Sequence, residues 1–343
     1  MLKKNIFYVA SYSKIKKGIY VVDYKNNKLT LVEYKETDDF PSYIIKEKNN
    51  LYITFKNAGI NKNGGGNCMY KINNNGTLCD ILKYTDNHSY THLCKNNDFL
   101  FTANYHEGTT TCFNINECYE NKSNNQISMI KHNGSGPDSK KRQLSPHVHY
   151  VGFTPDKKFL YSVDLGSDKV FIFNYKDGVL KPNSKYDINV TPGSGPRHMI
   201  FSGDGKFSYL VNEISNTVNV YLYKNNVFTL LQSLSTLPKN FNGESSASAI
   251  RISTSGKYLF ISNRGHDSIV MYKIDISTGK LSLLSFCNVG SGPRDFNFIN
   301  KTHIIVGLQG EHKIKLIDFN EKTETLELKD VFLEIEEPVC IAV

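Results

Sequence analysis

A hairpin pattern recurs seven times along the 343 residues and leaves few folds open. Its first copy runs Gly18-Ile19-Tyr20-Val21-Val22-Asp23-Tyr24, turns at Asn26-Asn27 and returns through Leu29-Thr30-Leu31-Val32. β-Branched and aromatic residues fill the arms, and Asn accepts the positive φ that a two-residue hairpin turn demands. Equivalent segments span 69–82, 112–130, 170–180, 218–231, 269–284 and 314–328. Their first arms end at Tyr24, Ile72, Ile115, Tyr175, Tyr223, Ile274 and Phe319, so the steps are 48, 43, 60, 48, 51 and 45 residues. Such a period, with four short strands per unit, is what β-propeller blades require. The step of 60 holds an insertion within 116–145, rich in Asn, Lys and Ser.

A second pair of strands lies between hairpins, clearest from Pro146 to Asp164 with a Pro155-Asp156 turn. It aligns with Arg197 to Glu213 and with Ser248 to Arg264. Residues 5–34 supply three strands with no inner strand before them, and Pro338 to Val343 reads as an inner strand with nothing after it. The two ends complete one blade and leave no open edge. The chain is therefore expected to be all-β, a single seven-bladed propeller domain over 1–343 with four antiparallel strands per blade. A pair of sandwiches or a β-helix would not account for complementary ends.

Composition narrows the function. With 39% hydrophobic and 12% aromatic residues the chain is too apolar for disorder. Lys and Arg number 41 against 33 Asp and Glu, a net charge of +8 that favours anions. The Lys residues scatter through turns such as Lys224-Asn225-Asn226, with no basic arm or helix, so a nucleic-acid partner is not expected. The seven Cys are irregularly spaced and contain no C-x-x-C, as expected of reduced thiols in a cytoplasmic protein. Neither a signal peptide nor a membrane span is expected, since no apolar run approaches ~18 residues.

The repeat converts alignment into geometry, because equivalent positions in successive blades form rings. The start of the inner strand carries Ser89 (within one residue), His149, Arg197, Ser248 and Arg294, and the end of the second strand carries Ser11, Asn104, Asp164, Glu213, Arg264 and Gln309. Antiparallel neighbours bring both rings to one rim. Three Arg with a His and a Glu at one mouth imply an anionic ligand, since guanidinium is a fixed fork suited to carboxylate or phosphate.

Other motifs carry less. Gly-Ser-Gly-Pro occurs at 134–137, 193–196 and 290–293, and reads as a connector needing positive φ more readily than as a phosphate cradle. His147 and His149 would share a strand face, but no further ligand stands at metal-site spacing, so neither a metal nor a cofactor is expected. No Gly-x-Ser-x-Gly elbow occurs and the Cys avoid the rim, so a covalent nucleophile is not indicated.

Taken in order, Ser145-Pro146-His147-Val148-His149, Tyr161 to Asp168, Gly193-Ser194-Gly195-Pro196-Arg197-His198, Val211 to Val218, Ser262-Asn263-Arg264-Gly265-His266 and Gly292-Pro293-Arg294-Asp295-Phe296 resemble the seven-bladed propeller lactonases. Their named activity is 6-phosphogluconolactonase, and the fungal carboxymuconate lactonizing enzyme is a relative. The resemblance implies metal-free hydrolysis of 6-phosphoglucono-δ-lactone to 6-phosphogluconate, a step of the pentose phosphate pathway. In the muconate relatives a His, an Arg, a Glu and a second Arg form the proposed site, and His149, Arg197, Glu213 and Arg264 match those places. Glu213 or His149 would be the general base, Arg197 with Arg264 would stabilise the oxyanion, and Arg294 with His198 would hold the phosphate, with Asp164, Asn104 and Gln309 beside them. A non-catalytic binding scaffold and a cycloisomerase acting on a dicarboxylate are the alternatives. The oligomeric state is left open.

Overall fold

The computed structural model describes residues 5–57, 64–84, 88–116, 126–138 and 142–343. Seven antiparallel sheets account for nearly all of its regular structure, six of four strands and one with a short fifth strand, Ile188–Asn189. They are the blades of a seven-bladed β-propeller. Chain order and sheet order coincide except in two sheets: Ile188–Asn189 pairs with Lys169–Lys176, and Pro338–Ala342 pairs with Ile6–Ser11, as the complementary ends foretold.

Two compact units are distinguished. One holds the sheet joining the termini, the sheet of 40–84 and the sheet of 293–334; the other comprises 91–266 and 270–284. In each, hydrophobic cores form between neighbouring sheets. Phe101, Val148, Val151, Leu160 and Phe173 make one such layer in the second unit, while Tyr8, Val21, Ile44, Leu51 and Ile53 make one in the first.

Burial explains the sequence pattern strand by strand. Second strands such as Phe159–Asp164 and Phe207–Asn212 are buried throughout, because a sheet packs on each of their faces. Fourth strands such as Thr325–Glu334 alternate between half-buried and exposed residues, and so carry the Lys and Glu. The turns follow their residues: Asn26, Asn27, Asn225 and Asn226 all have positive φ, closing the pairs Lys25–Lys28 and Lys224–Val227. Among the described residues, no helix is long and apolar enough to cross a membrane.

Candidate active site

One irregularity repeated in the first strands places the polar side chains. The pairing slips between Val148 and Tyr150, between Pro196 and His198, between Ala247 and Ile250, between Pro41 and Tyr43 and between Pro293 and Asp295. Each slip is a β-bulge, which leaves a residue unpaired and re-aims its side chain. The bulged residues are His149, Arg197, Ser248 with Ala249, Ser42 and Arg294. In the sheet of His92–Asn96, His92 pairs with Ala103 as Tyr150 does with Val163, so Thr91 takes the place expected of Ser89.

In the second unit these bulges converge on Glu213. Its backbone N–H donates to Gly195 O at 2.7 Å, fixing it one residue beyond the strand Phe207–Asn212. Glu213 Oε2 lies 2.8 Å from Arg197 Nε, and Oε1 lies 3.1 Å from an Arg264 amino nitrogen. A third guanidinium, that of Arg142, also pairs with Oε1. Burial by itself would raise the Glu213 carboxyl, but Arg264, Arg197 and Arg142 override it and hold the carboxyl well below the usual range. Three guanidiniums on one carboxylate leave a net charge of +2.

Behind this cluster sits a layer of rings. Arg197 Nη1 donates to Ser248 O at 2.9 Å and lies 3.1 Å from His198 Nε2. Since guanidinium only donates, His198 accepts there through a neutral ring. Burial, then the charges of Arg197, His149, His92 and Arg251, push the His198 imidazole far down. His92 is lowered by burial, Arg251 and Arg197, and its ring lies 3.9 Å from that of Tyr150. His149 packs edge-on against His198 at 5.2 Å and against Tyr105 at 5.7 Å.

The site residues expected from sequence divide accordingly. His149, Arg197, Glu213 and Arg264 are brought together. His198 joins them, but 3% exposed and neutral it brings no charge to a phosphate. Asp164 and Asn104 face away, into turns. The Asp164 carboxylate accepts the His147 and Gly166 N–H groups and the Ser167 hydroxyl, and Asn104 Oδ1 accepts the Glu107 N–H. The reason is register. Asp164 pairs with Val148 as Asn212 does with Pro196, so the residues matching Glu213 are Leu165 and Tyr105. Arg294 and Gln309 belong to the first unit, where Arg294 stands 5.6 Å over the Tyr12 ring and Gln309 donates to Glu337 at 3.3 Å.

Two residues of the site were not foreseen. Tyr105 stacks on His147 at 4.4 Å, faces His149 and accepts a hydrogen bond from Arg142. Placing it one residue past its strand, as Glu213 is, would have found it. Arg142 stands outside the repeat and had no such signal. The Gly-Ser-Gly-Pro connectors are spent on the fold: the Gly193 and Gly195 N–H groups donate to Asp168 at 2.7 Å each, and Gly292 donates to Asp267 at 2.9 Å. His147 sends its N–H to Asp164 and its Nδ1 proton to Tyr105 O, which breaks up the expected pair with His149. Among the described residues, no group of three or more His, Cys, Asp or Glu could hold a metal ion.

Comparison with known proteins agrees with this architecture. The family model described as "Lactonase, 7-bladed beta-propeller" matches residues 6–343. The 6-phosphogluconolactonase of Bacillus subtilis (strain 168) is 33% identical over 353 aligned positions, covering 99% of this chain and 98% of that one. Among solved structures, a protein of Bacteroides fragilis NCTC 9343 superposes with a TM-score of 0.86 at 28% identity, covering 99% of this chain and 98% of the other. The periplasmic gluconolactonase of Pseudomonas aeruginosa gives 0.86 at 25% identity, covering 98% of each.

Proposed function

Because the chain belongs to the seven-bladed β-propeller lactonase family, we propose that the guanidinium cluster beside His149 opens a phosphorylated sugar δ-lactone, 6-phosphoglucono-δ-lactone, to its acid. Lactone hydrolysis follows from the family; the phosphorylated substrate is the finer reading. The observation that carries it is the net +2 charge gathered on Glu213 by Arg142, Arg197 and Arg264.

The chemistry needs water aimed at the ring carbonyl, a base to take its proton, and donors for the oxyanion of the tetrahedral intermediate. Glu213 is a poor base, because the three arginines stabilise its charged form and would have to release it before it could take a proton. Its role is to hold the arginines in place. His149 is the base: it takes a proton from the attacking water and returns it to the ring oxygen as the C–O bond breaks. Arg264, whose side chain is 21% exposed, faces the oxyanion, whereas Arg197 at 4% is fastened to Glu213 and Ser248 behind it. One such donor is worth on the order of a hundredfold to a thousandfold in rate.

No resident metal enters this reading, since an excess of guanidinium charge repels a dication. A reducing, cytoplasmic setting and the pentose phosphate pathway fit it, and Cys68, Cys79, Cys94, Cys112, Cys287 and Cys340 are free thiols. The test is acid release from fresh 6-phosphoglucono-δ-lactone, measured against an enzyme-free blank because the lactone also opens unaided. His149→Asn should abolish most of the enzymatic rate. A wild-type rate equal to the blank would sink the proposal.

A further inference from the structure

Resting on that reading of the substrate, we infer that Arg142 is the residue that recognises the phosphate. It comes from the segment between the outer strand Gln126–Lys131 and the first strand Val148–Phe153, so it is an addition to the repeat. The segment's described residues are built into the fold. Gln143, fully buried, donates from Nε2 to Leu165 O and to Asp168 Oδ1 at 2.8 Å each, and its backbone carbonyl accepts the Gly136 N–H at 2.8 Å. Asp168 is the same carboxylate that gathers the Gly193 and Gly195 N–H groups. A Cβ at Gly136 would lie 2.7 Å from both Asp168 Oδ2 and the Gln143 side-chain amide, so a larger residue there would displace both side chains. The Arg142 N–H adds a long bond to Asp138 at 3.3 Å.

An arginine fixed this way has a purpose beyond a surface ion pair, which is worth little on its own. Glu213 already has two partners in Arg197 and Arg264, enough to neutralise it and leave +1 for the chemistry. Arg142 raises the balance to +2, the complement of a phosphate monoester near pH 7, which carries about −1.5 to −2. The lactone ring itself has no net charge and makes no such demand. Of the three guanidiniums that of Arg142 is also the most open, its side chain 32% exposed against 21% and 4%. Glu213 and the Tyr105 hydroxyl orient the fork, and forked donors match phosphate oxygens in pairs.

The experiment compares kcat/KM for 6-phosphoglucono-δ-lactone and for glucono-δ-lactone in wild type, Arg142→Ala, Arg142→Lys and Gln143→Ala. Wild type should favour the phosphorylated lactone. Arg142→Ala should lose about ten- to a hundredfold on it, the worth of a charged hydrogen bond, and several-fold less on glucono-δ-lactone. Arg142→Lys should recover part of the preference. Gln143, a positioning residue that cannot reach substrate, should shift the same ratio when replaced by Ala. Equal losses on both lactones in Arg142→Ala would overturn the inference and assign the residue to Glu213 alone. A wild type that opens both lactones equally well would overturn it too while leaving the lactonase standing. A wild type that opens neither would defeat the underlying reading as well.

Discussion

Replacing Glu213 by Gln tests the electrostatics on which the site is built. At an effective dielectric constant of ~20, the 2.8 Å contact with Arg197 and the 3.1 Å contact with Arg264 correspond to gross attractions of about 6 and 5 kcal/mol. Desolvation of the buried groups offsets most of this. What remains is the cost of leaving buried guanidiniums without their counterion, about 3–5 kcal/mol. Glu213→Gln preserves shape and one acceptor, so the loss reports charge and not a cavity. For 343 residues at ~2.1 cal/mol/K each, the unfolding entropy is about 0.7 kcal/mol/K, so Tm should fall by about 4–7 °C in calorimetry.

The pH dependence has a definite sign. Glu213 has a folded-state pKa well below its ordinary 4.5, so its contribution is whole above that value and fades only as pH falls beneath it. The gap in Tm between the two proteins should be flat from about pH 5 to 8 and close in acid. Added inorganic phosphate should raise the Tm of Glu213→Gln more than that of wild type, because the variant holds three uncompensated guanidiniums. A Tm within about 1 °C of wild type at neutral pH, with no phosphate effect, would refute the reasoning.

Two other outcomes follow from the same physics. His132 is buried between Phe171 and Phe173 and held by Thr110 at 2.8 Å; burial lowers its pKa from 6.5 to about 3. The unfolded chain takes its proton first, so stability should erode as pH falls from 6.5 toward 3, by on the order of 5 kcal/mol in full. His132→Phe, which leaves the Thr110–Ser162 bond intact, should make the acid limb of Tm-versus-pH curves shallower, the buried His92 and His198 supplying the rest, and parallel curves would contradict it. Exhaustive dialysis against EDTA should leave lactone turnover unchanged; a loss restored by a divalent cation would overturn the metal-free mechanism.

Much of the fold was written in local patterns. Asn-Asn turns, β-branched arms and a period near 50 residues specify hairpins and their number, because turn conformation and strand pleat depend on near neighbours. The lone strand at 338–342 and the three strands at 6–36 specify how one blade is completed. That His149, Arg197, Glu213 and Arg264 would cluster was legible because they occupy repeat positions. The remainder depended on distances between segments far apart in sequence. Asp164 and Asn104 align with Glu213 to within one residue, yet in a strand one residue turns a side chain to the other face, and only the bulge register decides which.

The Gly-Ser-Gly-Pro connectors illustrate the same division. Their backbone freedom was readable from sequence, but it took Asp168 and Asp267, about 25 residues away, to claim their N–H groups. Sequence by itself determined the blades and the joining of the ends and raised the expectation of an anionic ligand, since these rest on periodicity and residue type. Tertiary structure alone decided that Glu213 is a tethered counterion, that Tyr105 and not Asn104 faces His149, and that Arg142 enters the site from an insertion. Charge coupling and burial act through space, and spacing along the chain does not encode them.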